Sequence, residues 1–401
     1  MEPSDRARLA PLMLATMASQ ALLVVLGPTI VAIGADLGAS VGAVGQARSI
    51  TAGIAIAASV AIARRVDTVA ISRLLAFGAG LAIIGCVTVA AAPTLAVFLL
   101  AHLLVGVSLA CLLSAGFAGV AAFAQKRRAW AIGYVAGANA LAWIVVAPIV
   151  GIVADLFSWR AAQAVPAAIA LAAMLAAPAA APVPSGPAVP RLRALFSQRS
   201  ARRWIGAELV AYGAWSALLT FVGAFFIETL AVREAVVGWL LAGGAAAYFA
   251  AATRRAGLLD AIPRRKLVAA VALLMAILFV VELNLAGSAA FAVGIFCLLG
   301  LAAGVRTPVS SGLGLEQLPD HPGAMMAART AATQLGYLLG AVIGGAVIAG
   351  AGYGTLGILL AAGMAASAWL VLRVDDPREA ATLPAGRGSK QPPGRACRAP
   401  V

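Results

Sequence analysis

The chain has 401 residues, of which 63% are hydrophobic and only 11% charged. A soluble domain carries roughly 45–50% apolar and about 25% charged residues, so this composition excludes a water-soluble globule and leaves apolar surface for lipid. The net charge of +14 does not point to nucleic acid, because the basic residues sit in short clusters between apolar stretches, where they act as topology signals.

Arg6 and Arg8 precede an apolar run over 10–34. It is too long for a signal-peptide core of about 7–15 residues and is expected to remain as span one. Further apolar stretches follow at 43–63, 74–92, 95–123, 130–154 and 160–181. A basic segment over 191–203 holds Arg191, Arg193, Arg199, Arg202 and Arg203 and is expected to link two halves. Six more stretches cover 204–230, 236–253, 267–286, 288–305, 323–350 and 354–373. Each is close to the roughly 20 residues that a helix needs to cross a bilayer. The pattern predicts an all-α integral membrane protein with twelve transmembrane helices. Its expected parts are a six-helix bundle over 1–190, a cytoplasmic linker over 191–203, a second six-helix bundle over 204–373 and a disordered cytoplasmic tail over 374–401, rich in Pro, Gly and Arg.

With a cytoplasmic N-terminus, the inner segments hold 25 basic residues and the outer ones three, Arg48, Arg160 and Arg233, while Arg329 lies near the start of span eleven. The positive-inside rule therefore places both termini in the cytoplasm. Only Lys126, Lys266 and Lys390 are lysines among 29 basic residues. Together with heavy Ala and Gly use, this suggests a GC-rich bacterial genome and hence a bacterial inner membrane. Cys86, Cys111, Cys297 and Cys397 have no metal-ligand spacing and imply no disulfide framework. No cofactor, metal or catalytic constellation is expected.

Two patterns recur at one separation. Asp67 and Asp260 lie in the loops after spans two and eight, and Ala147 to Gly151 in span five matches Gly340 to Gly344 in span eleven. Both pairs are 193 residues apart, which implies duplication of a six-span unit into two pseudo-symmetric bundles, with a central site between them.

The whole apolar region, about 10–373, resembles the major facilitator superfamily, most closely its twelve-span drug:proton antiporter branch. That family's loop after span two reads roughly G-x-L-A-D-R-x-G-R-R-x-L-L. This chain keeps Asp67 and Leu74-Leu75, with Ala63, Ala70 and Thr68 at the two glycines and the Arg. The second copy has Asp260 followed by Pro263, Arg264 and Arg265. The family's antiporter signature in span five, G-x-x-x-G-P-x-x-G-G, appears around Ala147, Pro148 and Gly151, and in span four His102, Val105 and Gly106 stand where the family often has Arg and Gln-Gly.

The resemblance implies proton-coupled efflux of a small hydrophobic or weakly polar organic compound by alternating access. Alternatives are an uptake facilitator or symporter on the same fold, or a non-transporting membrane sensor. An enzyme is not expected, and the expected partners are a small-molecule substrate, protons and the lipid bilayer, with the chain a monomer. Intramembrane ionisable residues are functional candidates, so His102 and Glu208 are the candidate proton carriers. Glu208 is placed about one turn into span seven, with Arg202 or Arg203 as its bland partner. Arg329 is expected to pair with Glu316 or to bind an anionic group, and Glu228, Glu234 and Glu282 to sit at the outer rim. Asp67, Arg73, Asp260, Arg264 and Arg265 form a candidate conformational latch between helix ends of the two halves. Pro148, with Gly137, Ala140, Ala147 and Gly151, is expected to disturb its helix locally and to give a small-residue packing face. The family's cavity-lining spans offer Gln20, Tyr212, Trp215 and Phe296, to which Asn139, Trp143, Gln334 and Tyr337 add further groups.

Overall fold

In lipid a chain must satisfy its own backbone hydrogen bonds, and a continuous helix does so within one segment. In the computed structural model, which describes residues 3–63, 70–181, 198–253, 262–317 and 322–376, all the apolar stretches are helical. No strand occurs among the described residues. Helix α1 runs Pro3–Val24 and, after a break at Val25, resumes as Leu26–Leu37. It is followed by α2 (Val41–Ala63), α3 (Ile71–Ala90), α4 (Leu95–Ala118) and α5 (Gln125–Leu156). Helix α6 is split into Trp159–Ala162 and Ala164–Ala176. The second half begins with α7 (Arg199–Glu228) and α8 (Glu234–Thr253). It continues with α9 (Arg264–Val280), which ends in a π-helical turn over Val281–Leu285, and α10 (Ala289–Leu315).

The last helical stretch, Pro322–Val371, has 50 residues. Straight, it would be about 75 Å long, more than twice the roughly 30 Å of hydrocarbon. It bends at Gly352, whose φ of 76° and ψ of −179° form a conformation in essence reserved for glycine. The bend divides it into α11 (322–351) and α12 (353–371), which completes twelve spans.

Local chemistry sets the helix ends. Pro28 has no N–H to give to the Val24 carbonyl, and α1 breaks one turn earlier, at Val25. The Thr29 hydroxyl adds a bond to the Val25 carbonyl at 2.6 Å, where the helix resumes. The hydroxyls of Ser40, Thr94, Ser158 and Ser288 accept from Ala43, Val97, Ala161 and Phe291 N–H groups respectively. These side chains cap the starts of α2, α4, α6 and α10 at the face opposite the termini.

The exterior is apolar: Val87, Leu100, Leu175 and Ile277 are 61–71% exposed, an arrangement suited to lipid rather than water. Small residues bring the interior helices close together. A Cβ on Gly106 of α4 would meet the Thr51 carbonyl and Ile54 of α2, and a Cβ on Gly300 of α10 would meet the Gly244 carbonyl and Ala247 of α8. Residues 51 and 54 are 193 short of 244 and 247. Gly106 and Gly300 are 194 apart, as are the caps Thr94 and Ser288. The duplication read from sequence is thus repeated in the packing, and the fold is two pseudo-symmetric six-helix bundles.

The halves meet through α2 with α11, α5 with α8, and Leu26–Leu37 of α1 with α7. Hydrogen bonds run from Gln46 to the Ala341 carbonyl and from Ser49 to the Leu338 carbonyl, and Asp155 pairs with Arg233 at 2.6 Å. Backbones nearly touch where a Cβ on Gly223 would lie 2.3 Å from the Gly27 carbonyl, and one on Gly238 would lie 2.2 Å from the Ala147 carbonyl. All these contacts lie in the part of the bundle toward the face opposite the termini.

Several expectations change. Helix α7 starts at Arg199, so the end of the 191–203 segment is helical, while 191–197 lie outside the described residues. The first residues of the expected disordered tail are packed: Val374 and Asp376 are buried, and 377–401 lie outside the described residues. Pro148 does not interrupt α5, and Gly137 faces open space rather than a neighbouring helix. Asp67 and Asp260 lie outside the described residues.

The α5–α8 contact predicts a specific cost. Gly238→Ala forces the backbones of the two halves apart, and overpacking of this kind costs about 1–3 kcal/mol. A lowered thermal midpoint in detergent is expected for Gly238→Ala, with none for Gly133→Ala, where a Cβ meets nothing within 4 Å.

Candidate substrate pathway and its buried charges

The Leu23 carbonyl, two residues before the break in α1, takes a side-chain donor from the neighbouring helix. Arg48 of α2 supplies that donor, its Nη1 lying 2.8 Å from the Leu23 oxygen. A helix C-terminus carries partial negative charge, so a guanidinium there is favourably placed. Arg48 is 4% exposed, with its Cζ 5.9 Å from the Trp143 ring of α5 and 5.8 Å from the Tyr337 ring of α11. Both distances fall within the range of cation–π attraction. Trp143 in turn donates from its indole N–H to Gln20 of α1 at 3.2 Å. The seam between the halves thus holds a buried cation flanked by one aromatic ring from each half.

A second cluster lies in the C-terminal half. Glu208 of α7 is fully buried. Its Oε1 accepts from Arg306 at 2.8 Å and from the Ser310 hydroxyl at 2.9 Å, and its Oε2 accepts from Arg329 at 2.9 Å. Arg306 also donates to Ser367 of α12, whose hydroxyl donates to the Ala207 carbonyl. Trp204 donates its indole N–H to Ser310. Arg329 donates to the Tyr212 hydroxyl and lies with its Cζ 5.2 Å from that ring. The Tyr212 and Tyr337 rings meet edge to face at 6.3 Å, so tyrosines join the two clusters. Two arginines thus share Glu208, and Arg48 has no carboxylate paired with it among the described residues. A small cleft beside them is lined by Tyr212, Trp215, Ala303, Arg306 and Thr307 and closed by Met275 and Met364.

These positions revise the sequence reading of the charges. Because α7 begins at Arg199, Glu208 lies about 14 Å along the helix axis rather than near the interface, and its partners are Arg306 and Arg329, not Arg202 or Arg203. Glu316 pairs with Arg264 instead of Arg329. Arg48, counted with the outer loops, and Arg306, counted with the inner ones, are both inside helices. The charge bias becomes 24 to 2, in the same direction. The sequence carried the signal in both cases: each of these arginines has a run of apolar and small residues on either side. Glu282, assigned to the rim, is fully buried in the π-helical turn of α9, and neither carboxylate oxygen has a hydrogen-bond partner among the described residues. Glu228 does stay at the surface, accepting from the Tyr353 hydroxyl at 2.6 Å.

The other candidates scatter. His102 of α4 is buried, bonded through Nδ1 to the Phe98 carbonyl at 2.8 Å, with the two rings 4.6 Å apart. No hydrogen bond or ion pair among the described residues joins it to Glu208. Phe296 is a packing residue, 2% exposed, seated on Gly244 and edge to face with Phe226. Asn139 lies one turn before Trp143 on α5, and its buried Oδ1 has no partner among the described residues. Gln334 is half-buried on α11. Of the latch residues, Arg73 is exposed in the first turn of α3. Arg264 bonds to Glu316 and the Arg265 N–H to Asp376, contacts within the C-terminal half.

Removing Glu208 would leave two arginines facing each other without their shared anion, and breaking a buried pair costs about 3–5 kcal/mol. Glu208→Ala is expected to lower the unfolding midpoint strongly. The double variant Glu208→Ala/Arg306→Ala should lose less than the sum of the single variants, as measured by thermal unfolding in detergent.

Among curated proteins no match to this chain is found. The family model described as the Major Facilitator Superfamily matches residues 12–207 and 204–399. The two stretches begin 192 residues apart, within one residue of the repeat read from Asp67 and Asp260. Taken with the duplicated helix packing and the charged seam between the halves, this match, which spans nearly the whole sequence, places the chain in the major facilitator superfamily of multi-pass membrane transporters.

Proposed function

We propose that this chain is a secondary active transporter that expels a small, largely apolar organic compound in exchange for protons, by alternating access of its two halves. The observation that carries this reading is that, among the described residues, contacts between the halves gather toward the face opposite the termini, through α2–α11, α5–α8 and α1–α7. With the termini in the cytoplasm of a bacterial cell, as the 24-to-2 bias implies, this is the outward-closed state that loads from inside. Trp143, Trp215, Tyr212 and Tyr337 give the pathway aromatic walls, which suit an apolar body. The span-five residues Ala147, Pro148 and Gly151 belong to the α5–α8 contact, where they act as packing residues on which the halves rock. The Arg264–Glu316 pair is placed to help hold the cytoplasmic ends of α9 and α10 together during that motion.

A proton carrier needs an oxygen or nitrogen that can take up a proton without dismantling its surroundings. Glu208 has both oxygens held by arginines, and His102 is tied to its own helix through one nitrogen. Glu282 meets the requirement best, since both its oxygens are unpartnered among the described residues and it is buried in a π-helical turn, an irregularity frequent at functional sites. A facilitator without coupling is the second reading, favoured by the same occupied state of Glu208.

Inverted membrane vesicles loaded with a pH-sensitive dye separate the two. Exchange predicts substrate-induced proton movement that Glu282→Gln reduces at least tenfold, with substrate counterflow preserved. Substrate movement with no proton signal in the wild type supports the facilitator and overturns the exchange reading.

A further inference from the structure

We propose that Arg48 is an anion-binding subsite in the transport pathway, and that the transported compound carries a carboxylate on an apolar or aromatic body. This rests on the transporter reading above and adds a charge to the substrate that the aromatic walls alone do not require.

Guanidinium offers five N–H donors in a planar fork. Arg48 is 4% exposed, yet one acceptor, the Leu23 carbonyl, lies within hydrogen-bond distance, and its Nε is buried with no partner among the described residues. No carboxylate among the described residues is ion-paired with it. Glu208 is not available, because both its oxygens are occupied by Arg306, Ser310 and Arg329. A buried charge without a counter-charge costs several kcal/mol. The helix end and two ring faces offset part of that cost, and an incoming anion would offset more.

Arg48 is also held where it is. Two residues before it, Gln46 donates to the Ala341 carbonyl, and one residue after it, Ser49 donates to the Leu338 carbonyl. These bonds fix α2 against α11, so the guanidinium is aimed into the seam rather than left to swing toward the interface. Around it stand Trp143 and Tyr337, one from each half. On the Trp143 helix, one turn earlier, Asn139 keeps a buried amide oxygen without a partner among the described residues. Residues four apart share a helix face, so the amide adds a polar group beside the aromatic wall. A cation with free parallel donors fits a carboxylate in bidentate geometry, while the rings cover an apolar or aromatic remainder. Glu208 is already shared by Arg306 and Arg329, so this glutamate leaves Arg48 open to a ligand of the same sign.

The test uses the purified full chain in lipid nanodiscs and pairs of isosteric probes. Benzoate, 1-naphthoate and octanoate are compared with their primary amides, by equilibrium dialysis and by ligand-dependent thermal shift. At least one acid should bind ten times or more tighter than its amide. Arg48→Gln, which keeps a donor for the Leu23 carbonyl, should remove that preference, and Arg48→Lys should leave a weaker one, because it keeps the charge and loses the fork. Should Arg48→Gln not fold, the acid-to-amide comparison on the wild-type chain still decides. Equal binding of acids and amides, or an acid preference that persists in Arg48→Gln, overturns the assignment, as does binding of no acid. A chain that moves neutral or cationic compounds in the vesicle assay while ignoring the acids fails this proposal alone; a chain that moves no compound fails the transporter reading.

Discussion

A proline-broken span and a buried arginine meet at the centre of this molecule. Pro28 prevents α1 from running continuously, which leaves carbonyls without donors in a medium that supplies none. Arg48 brings a charge into the same medium, and its bond to the Leu23 carbonyl gives that charge an acceptor beside the break. Because Arg48 belongs to α2, and α2 is pinned to α11 through Gln46 and Ser49, this local bond also sets how the N-terminal half meets its partner. The break further separates the two parts of α1: Pro3–Val24 packs on its own half, whereas Leu26–Leu37 packs on α7 and α8 as well as on α2 and α5. It is therefore where a single span first reaches across to the other body.

The duplication extends to packing but not to the charges inside the bundle. Thr51, Ile54, Thr94 and Gly106 are matched by Gly244, Ala247, Ser288 and Gly300 in equivalent contacts. The ionic residues within the spans have no such partners. At the repeat offset, Arg48 corresponds to Leu241, Glu208 to Ala15, Arg306 to Leu113 and Arg329 to Ala136. Helix approach is preserved in both copies because two bundles of the same shape need the same small residues at the same crossings. Charges placed in one copy alone make the interior asymmetric, with the Glu208 cluster rigid within one half and Arg48 at the border between them.

Hydropathy and repeat spacing were enough to read the twelve spans and two bundles, since lipid demands long apolar helices and duplication leaves a constant offset. The candidate site was less legible. Tyr212, Trp143, Gln20 and Tyr337 stand in the seam or beside it, but their partners could not be read, because which face of a span turns inward depends on packing against several neighbours. The apolar composition hides this: with Ala and Gly on all faces, helical periodicity is weak. Arg48 and Arg306 went to loops because positive charge near a span end usually marks topology. Glu282 went to the rim because the π-helical turn that rotates it into the bundle has no signature in its sequence.

The position of Arg48 has a mechanical consequence. Trp143 belongs to the same half as Arg48 and moves with it, whereas Tyr337 belongs to the other half. When the halves rock, one ring face stays with the guanidinium and the other leaves. A ligand bound to Arg48 and resting on both rings therefore has different contacts in the two states, and a ligand shifts a conformational equilibrium only through such a difference. The Tyr337–Tyr212–Arg329 contacts carry the departing ring's position into the Glu208 cluster. Since that cluster is ion-paired and rigid, Tyr337 moves with the C-terminal half as a body. Under the proposal that the solute binds Arg48, the difference between the two states is felt at the seam, where one ring leaves the ligand and the other stays.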